Sequence, residues 1–152
     1  MRIRILVVSD SHGASKHLQK IIDRELPFDY LIHCGDGAHD LEHVRLPHDV
    51  TVLSVAGNMD RAGSRERVIE TALGDVRFLI CHGDQFAAHY DYGRLLNDGL
   101  CRGVDIICCG HTHIPYRHNH PPLLFNPGPA DRGLYGIITL GPGEPNCEHK
   151  QL

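Results

Sequence analysis

Five short polar segments, each placed after an apolar run, constrain the fold of this chain more than any other feature. Each contains Asp, Asn or His, usually beside a glycine: Asp10-Ser11-His12, Gly35-Asp36, Gly57-Asn58-Met59-Asp60, His82-Gly83-Asp84 and Gly110-His111-Thr112-His113. Strands that are buried on both faces are continuous apolar runs, as in parallel sheets. The ends of such strands meet at one edge of a sheet, where α/β folds keep their sites. The sequence therefore predicts one shared site at these strand ends.

The order of strand and helix patterns predicts an α/β fold. In the first half, apolar runs at Ile3 to Val8, Tyr30 to Cys34 and Val50 to Ala56 predict buried strands. Helical spacing of apolar residues predicts a helix over Ala14 to Leu26, and a short helix is expected over Asp40 to Arg45. This β-α-β-α-β order implies right-handed crossovers and a largely parallel sheet.

The second half has a different pattern. Gly74-Asp75 between two strand-like runs, Glu66 to Leu73 and Val76 to Cys81, predicts a hairpin. A helix is expected over Tyr90 to Cys101, with Leu95, Leu96 and Leu100 on one face. Further strands are predicted at Val104 to Cys109, Leu123 to Phe125 and Leu134 to Leu140, and the tail from Gly141 adds an edge strand or frays. Two sheets packed back to back, with the helices outside, accommodate this order.

Length and composition bound the class of protein. The 152 residues favour a single domain over 1–152, and the formal charge of −4 argues against binding to a nucleic-acid backbone. No apolar run is long enough for a membrane span, and the N-terminal run is too short for a signal peptide. The six cysteines form no C-x-x-C pair, and four lie within apolar runs. We therefore expect reduced thiols and a cytoplasmic location. Cys108 and Cys109 are expected on opposite faces of a strand.

The polar segments offer oxygen and imidazole ligands. The candidate metal ligands are Asp10, His12, Asp36, Asn58, His82, His111 and His113. This donor set suits Mn, Fe, Zn, Co or Ni. Seven ligands exceed the needs of one ion with an open position, and they suit two ions about 3.5–4 Å apart that share a carboxylate. If the backbone is extended, the i,i+2 spacing of Asp10 and His12, and of His111 and His113, aims both side chains the same way.

Each segment alone also has an ordinary structural explanation. Asp10 is a possible helix N-cap, Gly35-Asp36 a turn, Asn58 a left-handed turn residue, and His82 a buried core histidine. The occurrence of all five segments in this order favours the metal site.

The order D-x-H, G-D, G-N-x-D, H-G-x, G-H-T-H, with Pro115 close behind, resembles the calcineurin-like metallophosphoesterases. The resemblance runs from Ile3 to about Leu140. It is strongest to their small single-domain bacterial and archaeal phosphodiesterases, a branch that includes the retromer-subunit-like proteins. It implies a four-layer α/β/β/α sandwich of two mixed sheets flanked by helices.

The resemblance also implies a mechanism with two divalent ions, for which Mn is favoured. The first ion would be held by Asp10, His12, Asp36 and His113, and the second by Asp36, Asn58, His82 and His111. Asp36 would bridge, and a hydroxide between the ions would attack phosphorus in line. Asp36, Asn58 and His82 are accordingly the expected catalytic residues.

Three positions depart from the family pattern. Met59 stands where the family commonly has Cys or His, and Met cannot protonate a leaving group. We therefore expect a preference for esters with good leaving groups. Asp84 replaces a frequent second histidine, and either orients a ligand or caps a turn. In the loop Asn126-Pro127-Gly128-Pro129, Pro129 replaces a serine; Arg132, shortly after it, approaches the phosphate or stays solvated.

The expected substrate is a small phosphodiester or phosphomonoester, with no stable nucleic-acid or membrane partner; a homo-oligomer is possible. The alternative is a catalytically weak, metal-binding scaffold for protein partners, and a weaker third possibility, suggested only by the histidine count, is metal storage or sensing. The remaining histidines match no ligand position, and most are expected at the surface: His17, His33, His39, His43, His48, His89, His118, His120 and His149.

Overall fold

Two five-stranded mixed sheets form the centre of the protein, for which a computed structural model describes residues 2–152. The first sheet has the order β10-β9-β1-β2-β3 and the second β4-β5-β6-β8-β7. The strands of the first half are β1 (Ile3–Val8), β2 (Tyr30–His33), β3 (Thr51–Ser54), β4 (Val68–Leu73) and β5 (Val76–Cys81). Those of the second half are β6 (Ile106–Cys108), β7 (Tyr116–His118), β8 (Leu123–Asn126), β9 (Leu134–Leu140) and β10 (Asn146–Gln151).

The parallel strands of each sheet end at the candidate site. β1, β2 and β3 are parallel, with α1 (Ser15–Glu25) crossing between β1 and β2. In the second sheet β5 and β6 are parallel, with α2 (Gly93–Arg102) between them. β9 runs antiparallel to β1, and the β4–β5 hairpin turns at Gly74 and Asp75 as predicted. The carboxyl ends of β1, β2, β5 and β6 therefore lead directly into the polar segments.

The core has three layers of side chains, which separate four layers of structure. Between the sheets lie Ile5, Val7, Phe78 and Ile80 with their neighbours. α1 packs Leu18, Ile21 and Ile22 on the outer face of the first sheet, and α2 packs Leu95 on that of the second. The predicted four-layer α/β/β/α sandwich is confirmed.

Cys108 faces the inter-sheet core whereas Cys109 faces α2, so the two neighbours do point to opposite faces. Cys34 and Cys81 are fully buried, as expected for core residues. Burial raises the pKa of the Cys81 thiol to about 12, which keeps it protonated. Within residues 2–152 all six cysteines are free.

Three features differ from the sequence-based expectation. The strand predicted as buried over Val50 to Ala56 is the short edge strand β3, and its Val52 is 38% exposed. Leu100 does not share the buried face of α2 and is 65% exposed. β7 was not predicted, because its sequence Tyr-Arg-His carries no apolar run. The tail forms the edge strand β10 on β9, one of the two outcomes expected for it.

None of the helices in residues 2–152 is long and apolar enough to cross a membrane.

We predict that Gly136→Ala destabilises the fold. Gly136 lies on the inner face of β9, and a Cβ there would lie 2.2 Å from Cε2 of Phe125, which belongs to the inter-sheet core. Such overpacking costs about 1–3 kcal/mol. Urea denaturation should show this loss in the free energy of unfolding. The matched control is Gly93→Ala at the start of α2, where a Cβ would lie 2.9 Å from Asp91 Oδ1. Because Asp91 is an exposed side chain that can move, the loss of stability should be smaller than at Gly136. Equal stability of Gly136→Ala and the wild type would contradict the packing described here.

Candidate metal centre

The structure brings six of the seven candidate ligands together where the two sheets meet. Asp10 and His12 follow β1, and Asp36 follows β2, in the first sheet. His82 follows β5, and the pair His111 and His113 follows β6, in the second sheet. The seventh candidate, Asn58, follows β3 and has an exposed side chain.

Most of these residues hold a strained backbone. Asp10, His12, Asp36, His111 and His113 all have positive φ, between 42° and 72°. Only one other non-glycine residue of the described chain, Ala87, does so. The left-handed region costs about 1–3 kcal/mol for such residues and is concentrated at functional sites. The backbone of the Asp-x-His and His-x-His pairs is therefore not extended, and the side chains converge through left-handed turns instead.

A first group consists of Asp10, His12 and His113. The Asp10 Oδ1 atom lies 3.2 Å from His113 Nε2 and 3.6 Å from His12 Nε2, and the two Nε2 atoms are 3.3 Å apart. Asp10 Oδ1 is buried and accepts no hydrogen bond, whereas Oδ2 accepts from the Ser9 hydroxyl and from the His111 amide. Asp10 does not cap α1, whose N-cap is Ala14.

A second group consists of Asp36, His82 and His111. His82 Nε2 lies 3.2 Å from both Asp36 Oδ2 and His111 Nδ1, and 3.9 Å from Asp10 Oδ1. His82 Nδ1 lies 2.8 Å from the Cys34 carbonyl, to which it donates, and this leaves the Nε2 lone pair directed at the site. Burial opposes protonation of His82, but the carboxylates of Asp36 and Asp10 outweigh it and raise its pKa. Asp10 thus borders both groups.

The segment after β3 holds the Asp36 carboxylate in place. The Met59 amide donates to Asp36 Oδ1 at 2.8 Å. The Asp60 carboxylate accepts from the amides of Asp36, Gly37 and Gly57, at 2.7–2.9 Å. Burial alone would raise the pKa of Asp60, but these three amides outweigh it and lower the pKa. Asn58 has an ordinary negative φ rather than the left-handed turn conformation considered for it.

Two glycines permit the close approach of the strand ends. A Cβ on Gly57 would lie 2.1 Å from Asp36 Oδ1, and a Cβ on Gly110 would lie 1.9 Å from Ser9 Oγ. Neither position can carry a side chain without displacing a candidate ligand or its hydrogen-bond partner.

Asn126, at the end of β8, supports the His111–His113 segment and was not predicted to do so. Its Nδ2 lies within 3.0 Å of the Gly110 carbonyl and of Thr112 Oγ1, and 3.1 Å from the Tyr92 hydroxyl. The sequence signal was present, because Asn126 opens the loop that carries the family resemblance. Directly after Pro129, the Ala130 amide donates to the Ser9 carbonyl and so ties this loop to the end of β1.

His33 is an exception among the nine remaining histidines, most of which are expected at the surface. It is fully buried at the end of β2. The Gly35 amide donates to His33 Nδ1, so Nε2 carries the proton and donates to Ser11 Oγ at 2.9 Å. The Ser11 hydroxyl in turn donates to Asp40 Oδ2 at 2.7 Å. This chain of hydrogen bonds ties the turn after β1 to the turn after β2.

Asp84, Arg132, His39 and His43, whose roles the sequence left open, lie outside the two groups of candidate ligands. Asp84 forms an ion pair with Arg67 at 2.5 Å and makes no side-chain cap of the turn that it begins. Arg132 is exposed, as are His39 and His43, which confirms the surface prediction for that pair.

Comparison with known proteins decides the family. A family model described as "Calcineurin-like phosphoesterase superfamily domain" matches residues 3–138. The chain belongs to this superfamily. It is 33% identical over 147 residues to the probable metallophosphoesterase YsnB of Bacillus subtilis, and the match covers 91% of this chain and 85% of YsnB.

Solved structures with a similar fold cover nearly the whole chain. A conserved protein of Streptococcus pneumoniae, described as a predicted phosphoesterase, matches with a TM-score of 0.82 at 23% identity, over 99% of this chain and 90% of that one. An archaeal phosphodiesterase matches with a TM-score of 0.76 at 20% identity, over 99% of this chain and 100% of that one. Vacuolar Protein Sorting 29 of Cryptosporidium parvum matches with a TM-score of 0.75 at 18% identity, over 99% of this chain and 98% of that one. At these identities the structures show a shared fold.

The residues present fit the divalent metals that a metallophosphoesterase uses. Two nitrogens that bind one ion at about 2.1 Å, at angles between square and tetrahedral, lie roughly 3.0–3.4 Å apart. The His12–His113 and His82–His111 nitrogen pairs, at 3.3 and 3.2 Å, meet this condition. One ligand atom each from Asp10, Asp36 and His82 also lie within 4.8 Å of one another. The buried Asp10 Oδ1, which accepts no hydrogen bond, has a partner if a cation binds there.

We predict that His33 makes the protein less stable in acid. Burial lowers the pKa of His33 to about 4, below the ordinary value of 6.5. Between these values the unfolded chain takes up a proton that the folded protein excludes. The stabilising contribution is therefore complete above pH 6.5 and is lost as the pH falls towards 4, on the order of 3 kcal/mol in all.

The measurement is urea denaturation of the metal-free protein across this pH range, beside the non-titrating variant His33→Gln. The variant should lose less stability between pH 6.5 and 4 than the wild type. Parallel pH profiles for the two proteins would contradict the assignment of His33 as a buried neutral imidazole.

Proposed function

We propose that this protein is a metal-dependent phosphodiesterase with a dinuclear site. The observation that carries the proposal is the position of Asp10 Oδ1, which is buried without a hydrogen bond and lies within 3.9 Å of imidazole nitrogens of His12, His82 and His113. An unpartnered buried carboxylate oxygen among imidazoles is costly unless a cation is bound.

The two groups of side chains would each hold one ion. Asp10, His12 and His113 would hold the first, with Asp36 shared. His82 and His111 would hold the second, with Asn58 completing it from the exposed rim. The carboxylate oxygens favour Mn, and the imidazoles also suit Fe, Ni, Co and Zn. The bridging role of Asp36 stays a prediction, and Asp10 also lies beside both groups.

Divalent cations, when bound, supply an activated water nucleophile and neutralise charge on the phosphoryl oxygens. The chain itself orients its ligands. The Cys34 carbonyl fixes the ring of His82, and the amides of Met59 and His111 hold the carboxylates of Asp36 and Asp10. Asn58 is exposed between Gly57 and Met59, both of which pack against Asp36, so its amide is available to orient a phosphoryl oxygen.

The charges of the site support a diester more than a monoester. Among residues 2–152, the ion-pair partners of Asp10 and Asp36 are histidines only, with no Lys or Arg. A diester brings one negative charge, whereas a monoester brings close to two at neutral pH. A site whose only fixed cations are two metal ions matches the smaller charge.

We predict metal-dependent hydrolysis of bis-p-nitrophenyl phosphate, faster than that of p-nitrophenyl phosphate. Removal of metal should abolish turnover, and titration with Mn, Ni, Co or Zn should restore it. His82→Ala should lower kcat/KM by more than about a hundredfold, since removal even of a residue that only supports a metal ligand costs 10–100-fold.

The matched control is His43→Ala, which removes an exposed histidine from the turn after Asp36. It should leave turnover unchanged. No diester hydrolysis with any of these metals, by a folded protein that binds two ions, would overturn the proposal.

We also predict a strong dependence on the leaving group. Met59 is 72% exposed at the rim and has no proton to donate. Nitrophenyl diesters should therefore react much faster than alkyl diesters. If the new imidazole acts as a general acid, Met59→His should reduce the ratio of the nitrophenyl rate to the alkyl rate by about a hundredfold. The Met59→Leu variant controls for side-chain size. Equal rates for alkyl and nitrophenyl esters in the wild type would refute this dependence.

A scaffold for protein partners is the second candidate. It is favoured by the large apolar side chains exposed on the segments of the site, Met59 and Ile114 among them, and by the fold shared with Vacuolar Protein Sorting 29. Tight metal binding without turnover is the result that would place this function first.

A further inference from the structure

The large apolar side chains that the described chain exposes are concentrated around the candidate metal centre. There are six such residues: Val52, Met59, Tyr90, Leu100, Ile114 and Tyr116. Met59 and Ile114 directly follow the candidate ligands Asn58 and His113. Tyr116 stacks on Tyr92, whose hydroxyl contacts Thr112 between His111 and His113. Val52, in β3, and Leu100, in α2, are not adjacent in sequence to any candidate ligand. Scattered exposed apolar residues need no explanation, but a concentration at a site marks a binding surface.

The most exposed of these side chains, Tyr90, belongs to a pair of rings beside the metal centre. The Tyr90 side chain is 81% exposed, and its ring lies 4.0 Å from the exposed ring of His89, tilted by 41°. The His89 ring lies 5.4 Å from that of His111. We name the rings of His89 and Tyr90 the aromatic shelf. The shelf is thus one ring contact away from a candidate ligand.

The backbone holds the shelf in place at a cost. Ala87 has φ of 56° and is the one strained non-glycine residue of the described chain that is not a candidate ligand. The turn is closed by hydrogen bonds from the Ala88 amide to the Gly83 carbonyl and from the Tyr90 amide to the Ala87 carbonyl. Strain of this kind persists only where the surroundings enforce it, typically at functional sites. The segment from His82 to Tyr90 therefore shares a left-handed non-glycine residue with the turns that carry the candidate ligands.

We propose that the aromatic shelf of His89 and Tyr90 binds a planar aromatic ring of the substrate, and that this ring is the base of a nucleoside attached to the reacting phosphate. This inference rests on the proposed phosphodiesterase function and names its substrate class. A single sugar ring separates base from phosphate in a nucleotide, which matches a shelf that adjoins His111. Every base has a flat π-face, so stacking on Tyr90 needs no hydrogen-bonding partners and tolerates different bases.

The test compares two diesters with the same leaving group. One is the p-nitrophenyl ester of thymidine 5′-phosphate, and the other is ethyl p-nitrophenyl phosphate, so that only the retained alcohol differs. In the manganese-loaded protein, the ratio of kcat/KM for the thymidine ester to that for the ethyl ester should be about ten or more. Tyr90→Ala should lower this ratio about tenfold, whereas Tyr90→Phe should retain it because the ring remains.

Leu100→Ala is the matched control, since it removes another exposed apolar side chain, from α2, and should leave the ratio unchanged. Calorimetric binding of thymidine 5′-monophosphate, relative to ethyl phosphate, gives a readout that does not need turnover. A binding preference for the nucleotide that Tyr90→Ala removes supports the shelf even if neither ester is hydrolysed, and in that case only the phosphodiesterase proposal fails. Hydrolysis of both esters with no preference, or a preference that Tyr90→Ala leaves intact, overturns the shelf.

Discussion

The close approach of the two sheets at the carboxyl ends of their parallel strands is the constraint on which the site depends. The Asp10 carboxylate, from the first sheet, accepts a hydrogen bond from the His111 amide of the second at 3.1 Å. Gly110 and Gly57 make this approach possible, because a Cβ at either would overlap Ser9 or Asp36. The buried core between the sheets fixes their separation, and that separation sets which side chains can share an ion.

The site is assembled against its local backbone preferences. Five candidate ligands adopt the left-handed conformation, which Asp and His tolerate better than bulkier residues but which still costs free energy. Hydrogen bonds to buried groups offset this cost. The Asp60 carboxylate accepts from three amides of the turns after β2 and β3. Asn126 Nδ2 lies within hydrogen-bond distance of three oxygens around the His111 turn. The His33–Ser11–Asp40 chain joins the turns after β1 and β2. Ligands held in this way keep their positions without help from a bound ion, as preorganised sites require.

Much of the fold could be predicted, because a short, continuous apolar run bounded by turn residues is typical of a buried strand. The β4–β5 hairpin, the first-half order and the meeting of the five polar segments followed from apolar runs, glycines and strand ends. Solvent exposure of β3 and of Leu100 could not be predicted, because edge position and helix rotation are set by tertiary packing that leaves no local mark. The left-handed backbone of Asp10 and His12 could not be predicted, because spacing alone does not distinguish an extended segment from a left-handed turn. The burial of His33 could not be predicted, because a buried, hydrogen-bonded histidine has the same sequence signal as a surface one. The single-domain organisation, the cytoplasmic location and the role of each ligand stay predictions.

The side chains around Asp10 and Asp36 are proposed to hold two divalent ions. Anomalous diffraction from crystals grown with Mn²⁺ tests it most directly, because the anomalous peaks locate the ions without assumptions about activity. We expect two peaks about 3.5–4 Å apart, one beside His12 and His113 and the other beside His82 and His111. A single peak, or peaks only at exposed histidines such as His39 and His43, would contradict it.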